Sequence, residues 1–368
     1  MLKIKRTLIN RVKQAAKAED LHDMVQTAIV LEHATIPTYL CALYTLKTGT
    51  NQEVAGIIRS VIIEEMLHMT IAANLLIAIG GSPQINTPDF IPTYPGHLPD
   101  GIGGDLIVTL EKCSIAQVQN VFMKIEEPAQ PLPLRAAAGE EETEYGTIGE
   151  FYAAIDAKLQ ELGQAAFIGD FSKEMVNNSW FPANELFPIT GPDSASRAIE
   201  VIVSQGEGRT KATAAAEKEG VPAALAAAST EESPLDFEGA PAHYYRFEQI
   251  VRGRKLVAND QAPYGYSFTG APVVLDTRNV WNMQPNPDPT TLPPGSRARR
   301  LSDQFDFSYT LLLNTLHQTF NGQPALIDRA MGQMYELRLL AQEVLATPVP
   351  GQEGVSTGLA FRYQPVSV

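Results

Sequence analysis

The stretch Ile57 to Ile79, holding Glu64-Glu65-Met66-Leu67-His68 at its centre, decides the fold. It is apolar almost throughout and contains no proline or glycine, so it reads as one helix. A spacing of three residues puts Glu65 and His68 on the same face of that helix. A carboxylate and an imidazole on a buried face destabilise the fold unless something pairs with them. A metal ion is a partner that satisfies both.

Working outward, Leu21 to Leu46 carries the same signal, with apolar residues at Met24, Ala28, Leu31, Leu40 and Leu43 and a proline at Pro37 that predicts a kink. The short turn Lys47-Thr48-Gly49-Thr50-Asn51 sets the two helices antiparallel. Gly80-Gly81-Ser82-Pro83 stops the second. Further helices are expected from Ser114 to Ile125, from Thr147 to about Leu162 with Glu150 at capping-box spacing, from Ser194 to about Lys211, and from Ala242 to Val251. Two more close the chain, at about Ser302–Phe320 and Pro324–Leu345. Asp105–Leu110 alternates weakly and predicts a short strand. The expected architecture is all-α: a helical bundle with loop-rich insertions at 83–146, 212–241 and 262–300 and a minor β element. The bundle core lies at 20–80, 147–163 and 194–255, joined by the helices of 302–346. No linker divides the 368 residues, so one domain is expected. Ala212–Asp236, rich in Ala and Glu, reads as the most mobile insertion.

Composition narrows the partners. Net charge is −14 and the only basic cluster is Arg297–Arg300, which argues against nucleic acid and anionic membranes. Two cysteines, Cys41 and Cys113, do not make a disulfide framework. The basic segment Met1–Lys13 lacks the apolar core of a signal peptide, so a reducing, cytoplasmic location is expected. The apolar stretches are interrupted by Glu and His and read as too broken to span a bilayer.

A two-metal site wants two imidazoles and about four carboxylates, because two divalent ions carry +4 and bridging carboxylates hold them close together. Glu32, among Ile29, Val30, Leu31 and Ala34, is the first-helix candidate. Glu65 and His68 come from the second helix. Glu150 and Glu207 stand among apolar or glycine neighbours in later helical segments, and His243 is the best second imidazole. Each has a plainer reading: Glu65 and His68 as a buried ion pair, Glu32 as a hydrogen-bonded core acid, Glu150 as a capping acid, Glu207 as a helix end and His243 as an exposed helix-start residue. Helix geometry places Glu64 off the metal face and toward solvent, and His33 outside the site. Tyr39, Tyr152, Tyr245 and Trp180 are candidates to line a pocket, and ordinary core packing is the alternative for each.

Leu31-Glu32-His33-Ala34-Thr35-Ile36-Pro37-Thr38-Tyr39-Leu40 resembles the first helix of the ferritin-like domain family related to iminophenyl-pyruvate dimer synthases. Glu64-Glu65-Met66-Leu67-His68, with Asn74-Leu75-Leu76 and Gly80-Gly81-Ser82-Pro83, resembles the second. Thr147-Ile148-Gly149-Glu150-Phe151-Tyr152, Gln205-Gly206-Glu207-Gly208 and His243-Tyr244-Tyr245-Arg246-Phe247 resemble later blocks, so the likeness covers roughly residues 20 to 255. It implies a ferritin-like bundle around two divalent ions, iron ahead of manganese or zinc. It also implies a dinuclear carboxylate oxidoreductase acting on a small, aromatic amino-acid-derived substrate, as in violacein- and indolocarbazole-type pathways. The best-known enzymes of that group are much longer than this chain. Ordinary ferritin-like proteins carry Glu-x-x-His twice, whereas here Glu207 is followed three residues on by Thr210, so the second imidazole has to come from elsewhere. The competing readings are a non-catalytic metal-binding protein and iron storage or detoxification, the latter requiring a compact bundle that assembles into a cage. Haem has no Cys-x-x-Cys-His attachment signal. A homo-oligomer is compatible with all of these.

Overall fold

The structure is a computed structural model that describes residues 4–128, 145–177, 179–208 and 233–365. The amphipathic helix α1, Arg6–Gln14, buries Leu8, Ile9 and Val12. It is followed by α2, His22–Thr45, and α3, Gln52–Ala78. The connection uses left-handed backbone at Gly49 (φ 81°) and Asn51 (φ 47°), which folds the chain straight back. At the opposite end the His22 imidazole meets the carbonyl of Ile79 at 2.9 Å, so the two helices lie antiparallel along their full length. Helix α2 carries on through Pro37. From Ala28 in α2 and Leu67 in α3, nearly every side chain is buried, apolar and polar alike. A helix that is apolar all round belongs in an interior. Helix α3 is accordingly long and apolar enough to cross a membrane by composition, yet 83% of its most apolar window is covered by the rest of the protein.

The Ser114 hydroxyl caps the next helical segment by accepting from Gln117 N (3.0 Å). This segment runs as α4, Ile115–Gln117, a π-helical turn Val118–Phe122, and α5, Met123–Ile125. The remaining helices are α6, Ile148–Leu162; α7, Pro192–Glu207; α8, His243–Arg252; α9, Arg297–Phe320; and α10, Ile327–Leu345. Helix α7 pairs with α6 and also reaches α3, α8 packs on α3 and α7, and α9 pairs with α10 beside α2 and α3. The rings of Tyr39, Phe122 and Phe247 meet at centroid distances of 4.7 to 5.2 Å, locking α2, the π turn and α8 together. One continuous cluster of buried side chains extends from Ile4 to Phe361.

Helix α9 begins five residues before the expected Ser302 because the Ser296 hydroxyl caps it, accepting from Arg299 N (3.1 Å). Helix α7 ends at Glu207, where Gly208 turns to φ 79°. Most of the expected insertion 212–241 falls outside the described residues. The β structure is minor, as expected, but it lies elsewhere. Ile4–Lys5 pairs with Tyr145–Gly146, and Val257–Ala258 with Tyr266–Ser267. Asp105–Leu110 is not a strand; its single bridge, Val108 to Gly96, is too short a ladder to extend. Cys41 and Cys113 are buried free thiols.

One buried acid gives a pH test. Asp306 on α9 is fully buried and accepts from Arg362 N (3.1 Å), and burial pushes its carboxyl from 3.8 up to about 7. The native state therefore holds this proton more tightly than the unfolded chain does. The stability it provides is complete below pH 3.8 and is lost as pH rises through about 7. Asp306→Asn keeps the acceptor and removes the ionisation. It is expected to stabilise the protein at pH 8 by on the order of 2–4 kcal/mol and to change little at pH 4. Denaturant melts at the two pH values check this, and equal effects at both would rule it out.

Candidate metal centre

Glu32 of α2 and the Glu65/His68 pair of α3 face each other across the helix interface. His68 Nδ1 stands 3.7 Å from Glu32 Oε2 and 3.9 Å from Glu65 Oε1. A second group forms on the other side of Glu65, where His243 Nδ1 lies 2.9 Å from Glu65 Oε1 and 3.4 Å from Glu126 Oε2. Within each triad, Glu32–Glu65–His68 and Glu65–Glu126–His243, the ligand atoms lie within 4.8 Å of one another. Glu65 belongs to both. The imidazole rings of His68 and His243 are nearly parallel, 5.4 Å apart.

The far side of each imidazole is fixed by a hydrogen bond. His68 Nε2 meets Gln205 Oε1 at 2.8 Å, and Gln205 Nε2 in turn donates to Glu185 Oε1 at 3.3 Å. This amide orientation is the one that offers Glu185 a donor. His243 Nε2 donates to Glu64 Oε2 at 2.9 Å, and Arg246 holds the other oxygen of Glu64 at 2.6 Å. With both Nε2 atoms engaged as donors, both Nδ1 atoms are left to face the carboxylates. Each end carboxylate takes one tyrosine hydroxyl. Tyr152 donates to Glu32 Oε1 and Tyr39 to Glu126 Oε1, both at 2.5 Å, while Thr35 donates to Glu65 Oε2 at 3.0 Å.

These side chains fit a pair of ions. His243 Nδ1 is buried and makes no hydrogen bond among the described residues, although Glu65 Oε1 is only 2.9 Å away. With Nε2–H given to Glu64, the Nδ1 atom faces Glu65 Oε1 and Glu126 Oε2, and a cation among the three would satisfy them all. Ligands roughly 2.1 Å from one ion stand about 3–4 Å from each other, and the imidazole–carboxylate distances here run from 2.9 to 3.9 Å. The donor set of carboxylate oxygen and imidazole nitrogen suits iron, manganese or zinc. Electrostatics agree. Burial and the charge of Glu126 raise the Glu65 carboxyl. Burial would lower both imidazoles, but the neighbouring carboxylates outweigh it and raise them. Burial and the adjacent glutamates also keep Tyr39 and Tyr152 protonated as donors. Burial would raise the Glu64 carboxyl as well, but hydrogen bonds from His243 and Arg246 outweigh it and hold Glu64 at about 2.

Of the six residues singled out from the sequence, Glu32, Glu65, His68 and His243 come together. Glu150 and Glu207 lie in neither triad. Glu150 closes the α6 capping box, its carboxylate accepting from Thr147 N at 3.0 Å. Glu207 lines the small cavity over the triads, and its carboxylate accepts from Gly149 N at 2.9 Å, with burial pushing it up to about 7. That cavity, about 50 Å³, is walled by Glu32, Glu65, His68, Glu126 and Tyr152 together with Ile148, Ile202 and Val203. Glu126 is absent from the sequence reading because residues 83–146 read as an insertion. The available signal was the apolar series Val118, Val121, Phe122 and Ile125, which ends directly on Glu126. Glu64 was expected to face solvent, but α8 covers that face of α3 and supplies its two donors, His243 and Arg246. Of the aromatic candidates, Tyr152 lines the cavity and Tyr39 binds Glu126 from behind. Trp180 instead bonds Asp328 at the surface, and Tyr245 packs in a separate cluster with Leu256.

A family model described as Ferritin-like matches residues 25–252. The chain belongs to the ferritin-like family. This ferritin-like chain is 26% identical over 398 aligned positions to dichlorochromopyrrolate synthase of Lentzea aerocolonigenes, an alignment covering 93% of the chain and 36% of the synthase. It therefore spans about a third of the length of that curated relative. It also superposes on a ferritin-like protein from Caulobacter vibrioides with a TM-score of 0.57 and 24% identity, covering 94% of this chain and 97% of the other. That second likeness concerns the fold.

Proposed function

We propose that the chain holds two divalent metal ions, iron or manganese, and acts as a dinuclear carboxylate oxidoreductase on a small, aromatic amino-acid-derived substrate of secondary metabolism. The observation that carries the metal reading is the pair of triads sharing Glu65, each with an imidazole whose Nδ1 is turned to the carboxylates and whose Nε2 is tied behind. Glu32 and His68 would hold one ion and Glu126 and His243 the other, with Glu65 common to both. Bound there, iron or manganese would supply redox chemistry toward O₂ or a peroxide. Tyr39 and Tyr152 fix the end carboxylates by hydrogen bonding and leave the other oxygen of each for the ion. Five side chains do not fill two coordination spheres, and open positions are what separate catalytic sites from structural ones. The cavity is sized for the ions and a diatomic molecule. The organic substrate is therefore met at its rim, beside the half-buried Ile148 and Val203. The substrate class is supported by the likeness to dichlorochromopyrrolate synthase.

The test is the metal content of protein purified without added metal, followed by chemical reduction and anaerobic addition of O₂ or hydrogen peroxide. Two ions per chain and a spectral change are expected. Absence of any change, with every coordination position filled by protein in a crystal structure, would leave a non-catalytic metal-binding protein. Glutamate variants test the ligand set. Glu126→Ala is expected to lose one ion of two, whereas Glu150→Ala keeps both and loses only about 0.5–1 kcal/mol of capping stability. Metal analysis of the two variants separates these outcomes, and loss of metal in Glu150→Ala would reverse the assignment.

A further inference from the structure

The two metal positions share one plan and differ most in what backs the imidazole. Each has an end glutamate held by a tyrosine hydroxyl, a share in Glu65 and one imidazole. The difference lies behind the imidazoles. His68 is backed by the neutral amide oxygen of Gln205, whose own partner Glu185 stands one hydrogen bond further out. His243 is backed directly by a carboxylate, Glu64. Arg246 holds that carboxylate on its other oxygen at 2.6 Å, and is itself anchored by the carbonyl of Pro241 at 2.5 Å and by Asp236 at 3.4 Å. Glu64 and Arg246 are both largely buried, with side chains 18% and 8% exposed, so solvent screens this pair weakly.

A carboxylate accepting from the remote N–H of an imidazole makes the other nitrogen a stronger donor to a cation, and loss of such a partner costs metal affinity. An amide oxygen does the same more weakly, because it carries no net charge. Arg246 offsets part of that charge, but it is shared with Asp236 on its other side, so the Glu64–Arg246–Asp236 chain keeps a net negative charge behind His243 while the arginine holds the carboxylate in place.

We propose that the two positions are unequal: the one formed by Glu65, Glu126 and His243 fills first, and Glu64 and Arg246 are the positioning residues that make it so. This rests on the dimetal reading of the site. The Glu32–Glu65–His68 position follows as the weaker one, and so the one from which an ion exchanges more readily.

The test is titration of the metal-free full chain with Mn(II), followed by calorimetry and by electron paramagnetic resonance. One equivalent is expected to give an isolated Mn(II) spectrum, which converts to a coupled pair signal at two equivalents. The tight step should survive in His68→Ala and vanish in His243→Ala. Glu64→Gln, which keeps the shape and an acceptor but removes the charge, should weaken the tight step about 10–100-fold and leave the weak step in place. A general loosening of the fold would weaken both steps together. Two ions entering with one affinity, equal weakening of both steps in Glu64→Gln, or a tight step lost in His68→Ala would each overturn the inference while leaving the dimetal centre intact. No uptake of Mn(II) by the unsubstituted protein would remove the centre itself.

Discussion

Glu65→Ala is expected to lose both ions and to reverse the sign of its effect on stability according to whether metal is present. Glu65 is the one side chain in both triads. Its removal takes a ligand from each ion and the bridge between them. In the loaded protein the loss should be large, because a ligand bound only by the native state stabilises it by ~4 kcal/mol at 1,000 times its dissociation constant, and two ions are at stake. In chelator-treated protein the sign should invert. There burial, Glu126 and Glu32 outweigh the partner His243 and push the Glu65 carboxyl up to about 7, so above that pH its charge opposes folding, and the comparison is made at pH 8. Thermal melts of both proteins, with Mn(II) and with chelator, give four midpoints. The unsubstituted protein should be the more stable with metal and the less stable without it. Retention of either ion by the variant, or the same ranking in both conditions, would show that Glu65 does not bridge.

The second large effect concerns the packing at the C-terminal end of α3. Gly169 follows the C-terminal end of α6 and lies flat on the end of α3, with its N–H bonded to the carbonyl of Ala78 at 3.0 Å. A methyl group added there would stand 1.8 Å from the carbonyl oxygen of Ile77 and 2.9 Å from that of Ala78. Both obstacles are backbone of a helix packed on all sides, so the 163–170 connection must lift. Gly169→Ala is expected to cost about 3 kcal/mol or more, equivalent to roughly 4 °C in Tm for a chain of this size. Gly163→Ala is not an adequate control because its φ of 65° brings strain of its own. Gly206→Ala is adequate, since a methyl there meets nothing within 4 Å, and Gly206 has no positive φ. Equal melting points for the Gly169 and Gly206 variants would mean that the contact with α3 yields without cost.

The sequence by itself determined the helices and the helix-borne half of the site. The run from Ile57 to Ile79 had only one way to hide so many apolar residues, and the three-residue spacing of Glu65 and His68 follows from helix geometry alone. Glu32 was legible for the same reason: a charge in a fully apolar stretch has to be compensated. The short 47–51 turn then fixed α2 against α3, bringing these three residues together with no further information. His243 was legible as a residue type in a helical segment, but not as a neighbour of Glu65, since that contact joins residues 178 apart in the chain.

Tertiary structure decided the other half. Glu126 closes a helical segment containing a π turn, and that turn is held by Phe122 packing on Tyr39 and Phe247, two distant helices. Period alone does not reveal where such a residue points. Glu64 illustrates the same limit: its helical phase turns it away from Glu65, yet α8 arrives on that side and makes it the partner of His243 and Arg246. Glu150 shows the converse. Two local patterns, a capping box and a buried acid, competed for one residue, and Glu150 is exposed with its carboxylate on the backbone donor at Thr147. Local periodicity governs which face of its own helix a side chain occupies, whereas the identity of what lies opposite depends on packing between segments far apart in sequence, and a metal site consists of such oppositions.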